Sequence, residues 1–192
     1  MHDLAAGVAQ FQRDVFPDKS DLFDHLATTH TPDTLFISCS DARVVPELIT
    51  SSDPGELFVI RTAGNLVPAY TPGADAVAAS IEFAVAELAV SRIVVCGHSG
   101  CGAMTALARR HDLSAVPAVA QWLRHADVSV ARAGGESDAD PVSALIRSNA
   151  VAQLANLATH PSVARAIAAD TVTLEGWIYD IGTGTVAVLD TP

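Results

Sequence analysis

Apolar positions Leu4, Val8, Phe11 and Val15 recur at helical spacing and form one stripe, so the chain opens on an amphipathic helix that Pro17 ends. Ser20 to about Thr29 predicts a second helix with Leu22, Phe23 and Leu26 inward, and His30–Asp33 reads as a loop around Pro32. LFISC, from residue 35, is a short apolar run with the character of a buried strand. VVPELIT predicts a short helix, SSDPGE a turn, and ELFVIR at 56–61 a second buried strand. The glycine- and proline-rich TAGNLVPAYTPG is a loop long enough to line a site. Ala74 to Val90 predicts a strong helix with Val77, Ile81, Val85 and Leu88 on one face. Ile93–Val95 marks a third strand, and an alanine-rich helix begins near Cys101. Helices follow over Ala115 to about Arg132 and Pro141 to Leu157, divided by the polar loop AGGESDADP. A short helical piece spans Pro161–Ala169, and LEGWIYDI and TVAVLD predict two strands joined at GTG.

Strands that alternate with helices define an α/β class with a mostly parallel central sheet flanked by helices. An order of 2-1-3-4 would make the first and third strands neighbours. The last strand follows through a tight turn and should pair antiparallel at the edge. The expected organisation is an N-terminal helical arm over 1–30 and one α/β domain over 31–192. The length suffices for a real core without disulfides.

Composition changes this picture in three ways. Apolar residues are 49% of the 192, and mean hydropathy is +0.31. Much of that is alanine, and no run is long enough to span a bilayer. The start has neither the cationic patch nor the apolar block of a signal peptide, so a cytoplasmic protein is expected. A net charge of −11 argues against nucleic acid or an anionic membrane as partner. Three cysteines make a poor disulfide framework and suit metal or catalytic chemistry. Cys96, inside the third strand, reads as a small buried hydrophobe.

The chemistry concentrates at two strand ends. RIVVCGHSGCGAM carries His98 and Cys101 just past the third strand, and LFISCSDAR carries Cys39, Asp41 and Arg43 at the end of the first. In parallel sheets ligands bind at carboxyl ends of strands, where strand order reverses. Two thiolates and an imidazole from Cys39, His98 and Cys101 suit zinc, with a fourth position left for water. Such an ion would make that water a nucleophile near neutral pH. Two thiolates cancel the metal's formal charge, so the water should be less acidic than at an all-histidine zinc, where its pKa is about 7. Activity should therefore rise into the alkaline range. Asp41 could orient the nucleophile or bind zinc itself in a closed state, and a bidentate pair with Arg43 would hold it ionised and off the metal. GHSGC also approaches the G-x-S-x-G nucleophile elbow, but Cys101 stands where that motif has glycine.

With these residues in view, the sequence resembles the β-class carbonic anhydrases. CSDAR is similar to that family's C-S/D-x-R signature and GHSGCGAM to its H-x-x-C stretch; GELFVIRTAGNLVP, LEGWIYDIGTG and the N-terminal arm also resemble family segments. The resemblance implies that 31–192 is a zinc-binding catalytic domain, with Cys39, His98 and Cys101 as ligands and Asp41 and Arg43 as catalytic dyad. It implies reversible hydration of carbon dioxide to bicarbonate, and a homodimer or homotetramer in which the first helices pack onto a partner. Carbonyl sulfide or carbon disulfide hydrolysis on the same site, or a non-catalytic zinc scaffold, are the alternatives. The departures are Ala42 for the usual serine, His30 for a glutamine and Phe83 for a tyrosine. His30 reads as a solvated loop histidine, or more sharply as a proton shuttle. A bicarbonate regulatory pocket of tryptophan, arginine and tyrosine would fall on Phe36, Arg61 and Tyr179. The tryptophan is missing, so that regulation is not expected, and Arg61 should pair with a carboxylate or a loop carbonyl.

Overall fold

The structure is a computed structural model that describes residues 3–134 and 140–190. It divides into two compact units, Met1–Thr31 and Pro32–Pro192. In the first unit, α1 (Leu4–Gln10) is capped by the Asp3 carboxylate, which accepts from the Ala5 amide at 3.0 Å. The stripe runs on through Val15 as expected, but over Phe11–Val15 the winding widens to a π-turn. Phe16 N–H reaches back to Phe11 O at 2.8 Å, and Pro17, which has no N–H to continue the ladder, opens a tight turn over Pro17–Lys19. The following helix α2 (Ser20–Leu26) is shorter than its periodicity suggested. The Thr28 hydroxyl donates to the His25 carbonyl at 3.3 Å and satisfies one orphaned acceptor there. The rings of Phe11, Phe16 and Phe23 pack together, with Phe16 stacked on Phe23 at 5.4 Å.

In the second unit, the described residues form one five-stranded sheet. Its strands are β1 (Thr34–Cys39), β2 (Leu57–Thr62), β3 (Arg92–His98), β4 (Thr173–Tyr179) and β5 (Val186–Val188). Their order is β2-β1-β3-β4-β5, parallel throughout except for the antiparallel edge pair β4–β5. This is the expected topology. Every residue of β1 is buried, as it must be where both faces of a parallel sheet are covered. One face packs Leu35, Ile37, Ile93 and Val95 against Ile81 of α4 (Ala76–Glu82), Leu154 and Leu157 of α8 (Pro141–Leu157) and Val163 of α9 (Pro161–Ala168). The other buries Phe36, Val94 and Cys96 against Trp177 and Tyr179. A third cluster sits past the strand ends and joins Cys39 and Cys101 to Leu66, Met104, Leu123, Leu145 and Ile146.

The helix read over Ala115–Arg132 is not continuous. It breaks into α6 (Pro117–Trp122), a 3₁₀ turn at Leu123–Ala126 and α7 (Asp127–Ala133). Its inward positions Leu123, Ala126 and Ser129 are spaced by three, which matches 3₁₀ winding. The helix begun at Ala74 keeps its expected face but ends in a π-turn over Phe83–Glu87. The polar loop AGGESDADP lies largely outside the described residues. The remaining elements, α3 (Pro46–Thr50) and α5 (Gly102–Ala108), fall where the pattern put them. Among the described residues no helix is long and apolar enough to cross a membrane.

Candidate metal centre

Adjacency of β1 and β3 decides the site. Ser38 lies opposite Cys96 in the ladder, so the next residues of the two strands run out of the sheet side by side. Cys39 ends β1, His98 ends β3, and Cys101 follows as the N-cap of α5. Their sulfur and nitrogen donor atoms all lie within 4.8 Å of one another. On that spacing a single cation with bonds of about 2.0–2.3 Å can draw all three together. All three residues are buried: Cys39 is 6% exposed, Cys101 1% and His98 0%. The three cysteines are free thiols.

The imidazole is set by its neighbour. His98 Nδ1 lies 3.0 Å from the Ser99 carbonyl, which can only accept, so Nδ1 carries the proton and Nε2 the lone pair. Ser99 is itself fixed: its N–H donates to Tyr179 O, and its hydroxyl accepts from the Ile181 amide, both at 2.9 Å. His98 Nε2 is buried and has no hydrogen-bond partner. A buried acceptor without a partner is costly, and a cation among the three donors would satisfy it. The residues therefore fit a zinc ion: two thiols and one correctly tautomerised imidazole in an apolar setting.

The sulfurs share one proton. The Cys101 thiol donates to the Cys39 sulfur, which is the main reason Cys39 is held down at about 4. The same bond, with burial, pushes the Cys101 thiol far up. Cys39 also accepts from the Gly64 amide at 3.4 Å. Gly64 adopts φ +74°, and a Cβ there would meet the Ala103 Cβ at 3.0 Å, so only glycine lets this backbone approach. Cys96, by contrast, has burial as its main influence, which raises it to about 12.

Asp41 and Arg43 form the bidentate pair that the sequence suggested. Arg43 Nε donates to Oδ1 at 2.9 Å and Nη2 to Oδ2 at 2.7 Å, with the Arg43 amide on Oδ1 at 3.0 Å. These bonds hold the Asp41 carboxyl well below the usual carboxylate range. The Arg43 guanidinium also donates to Gly100 O at 3.1 Å and so ties the two strand-end turns to each other. Asp41 Oδ2 stands 4.0 Å from His98 Nε2. Arg61 donates to the carbonyls of Cys39 at 3.0 Å, Asp41 at 2.5 Å and Val44 at 2.7 Å, the loop-carbonyl role expected of it. Phe36 packs edge-on against Trp177 at 5.8 Å. Phe83 is 45% exposed, with its ring 6.0 Å from that of Phe58. His30 falls in the first unit.

Sequence reading missed the polar stripe Asn149, Gln153 and Asn156 of α8. Asn149 donates to Gly64 O at 3.0 Å, Gln153 accepts from Val67 N–H at 2.8 Å, and Asn156 donates to Val67 O at 2.8 Å. Together they hold the loop that reaches Cys39. Amides at i, i+4 and i+7 in an otherwise alanine- and leucine-rich helix were the available signal.

Comparison with known proteins accords with this geometry. The carbonic anhydrase family model matches residues 34–186. A carbonic anhydrase of Pseudomonas aeruginosa is 53% identical over 99% of this chain and 88% of its own length. Carbonic anhydrase 1 of Escherichia coli O157:H7 is 52% identical with the same coverage. Among solved structures, the β-carbonic anhydrase CcaA superposes with a TM-score of 0.91 at 37% identity, covering 97% of this chain and 93% of that one. A Coccomyxa β-carbonic anhydrase superposes at 0.83 with 28% identity, covering 97% and 84%. Two free thiols and an unpartnered imidazole nitrogen at neighbouring strand ends, on this topology and at these identities, place the chain in the β-carbonic anhydrase family.

Proposed function

We propose that Cys39, His98 and Cys101 hold the zinc on which this chain carries out the activity of its family, the reversible hydration of carbon dioxide to bicarbonate and a proton, and that Asp41 and Arg43 are its catalytic pair. The observation that carries the assignment is His98 Nε2: buried, lone pair free, between two thiols and 4.0 Å from the Asp41 carboxylate. When bound, zinc supplies the Lewis acidity that makes water a competent nucleophile near neutral pH. With the ion bound, the Asp41 carboxylate would be placed to accept a hydrogen bond from the attacking water and orient it toward carbon dioxide. Arg43 holds both Asp41 oxygens, which keeps the carboxylate ionised and turned from the ligand position. Because its pKa is depressed, Asp41 does not retain the released proton, which passes on to solvent or buffer. The apolar cluster around Leu66, Met104 and Leu123 lowers the local dielectric and strengthens these contacts.

The chain works as a homo-oligomer. Leu4 is 76% and Val8 57% exposed, an apolar stripe left open on α1, and two Sordaria macrospora β-carbonic anhydrases similar in structure to this chain are tetrameric. Ligands that must remain free thiols suit the reducing cytoplasm.

Stopped-flow hydration of carbon dioxide, alongside zinc content, tests the reading. One zinc per chain, activity lost to a chelator and regained on zinc addition are expected. Protein that lacks zinc after loading, or that hydrates carbon dioxide equally with the chelator present, overturns it. Sulfide release from carbonyl sulfide, measured on the same sample, tests the alternative substrate.

A further inference from the structure

One peptide unit links an indole to a ligand sulfur. Trp122, the last residue of α6, donates its Nε1–H to the Ala63 carbonyl at 2.9 Å. That carbonyl and the Gly64 N–H are the two ends of the same amide, and the Gly64 N–H donates to Cys39 Sγ at 3.4 Å. A donor on the oxygen of an amide withdraws electron density from it and makes its N–H a stronger donor, so the two bonds reinforce each other. The amide is also fixed in place, since Asn149 holds the next carbonyl, Gly64 O, at 3.0 Å.

We propose that Trp122 is a positioning residue for the metal centre: through the Ala63–Gly64 peptide, its indole N–H sets the strength of the hydrogen bond that the Cys39 sulfur receives. The inference rests on Cys39 being a metal ligand. An N–H donor draws charge from a thiolate. It thereby leaves more positive charge on the metal, the lever by which groups outside the ligand set tune a metal's acidity. The side chain also has a packing role to separate from this one, since its ring lies 5.0 Å from that of His125 and against the apolar cluster of Leu123 and Met104. Phenylalanine at 122 keeps an aromatic ring for packing and loses the N–H.

The test uses the cobalt-substituted protein, whose sulfur-to-cobalt charge-transfer band reports charge on the ligand sulfurs. Trp122→Phe should move this band to longer wavelength, since a sulfur deprived of its donor is more easily oxidised. In the zinc form of the same variant the Gly64 amide proton should move upfield. Asn156→Ala, which removes a loop contact at Val67 but leaves this amide alone, should lower the melting temperature without moving the band. A second arm asks for the opposite sign without removing the ring. In a Trp177→Phe background Trp122 is the remaining tryptophan, and fluorotryptophan labelling, which makes the indole N–H a stronger donor, should move the band to shorter wavelength. A full-strength band that neither change moves overturns the inference alone. Equal shifts in Trp122→Phe and Asn156→Ala overturn it in favour of general loosening. A parent chain with no such band overturns the ligand assignment of Cys39, and the inference with it.

Discussion

Cys39 and Cys96 stand on neighbouring strands, Cys96 level with Ser38, and both are buried. Their chemistry is opposite. Cys96 sits mid-strand among Phe36, Val94 and Trp177, where burial leaves the thiol at about 12. Cys39 sits one step further along, where the chain leaves the sheet, and donors from the Cys101 thiol and the Gly64 amide hold it at about 4. Burial alone makes a thiol inert; burial with donors favours the thiolate, the form able to bind a metal. The difference is one residue of position along a strand. The sheet interior saturates its own polar groups, whereas the strand end leaves room for other elements to aim theirs.

This contrast can be broken or sharpened in graded steps. The largest effect is expected from Cys39→Ser, which should abolish stoichiometric zinc and bring carbon dioxide hydration to the uncatalysed rate, read by metal analysis and stopped flow. Next, Asp41→Asn should retain zinc yet lower kcat/KM by about 10²–10⁴-fold, the range for a lost acid–base group. Retained activity in this variant would remove Asp41 from the mechanism. The third step is the pH dependence of the zinc-free protein. Between about 4 and the ordinary thiol value of 9.0 the folded pair holds one proton and the unfolded pair two, so stability rises with pH. Above that value the unfolded pair holds none and the folded pair still one, so stability falls. Melting temperature against pH should show this rise and fall; Cys39→Ser should lose the rise, while the buried Cys96 thiol still gives a fall above 9.0. Fourth, Cys96→Ala should keep zinc and turnover and lose only about 1–2 kcal/mol of stability for the cavity, measured by denaturant unfolding. Last, His30→Ala, outside the cluster of thiol and imidazole donors, should leave turnover unchanged, with no added rate from imidazole buffer. Slower turnover rescued by imidazole would make His30 a proton shuttle.

Much of this was legible in the residues. The strand order followed from alternation and from placing Cys39 and His98 at the carboxyl ends of neighbouring strands, and the Asp41–Arg43 pair from its spacing. The bend at Leu123–Ala126 was not legible, because alanine-rich helices carry little periodicity to mark a change of winding. The π-turns before Pro17 and at Phe83–Glu87 were missed for a similar reason: they arise from how helix ends resolve their hydrogen bonds, which a pattern of apolar positions does not record. The grip of Asn149 and Trp122 on the 63–67 loop was hidden more deeply. Those residues are distant in sequence from the atoms they hold, and their partners are backbone groups that any residue carries.

The three bonds from Arg61 to the carbonyls of Cys39, Asp41 and Val44 are made by the guanidinium alone and need no metal ion. The turn that carries the first sulfur is thus shaped by the chain's own guanidinium as soon as the strands pair. Metal acquisition can then be a late event, a matter of delivery to a finished receptacle, and stripping the ion need not undo the architecture that would receive the next one.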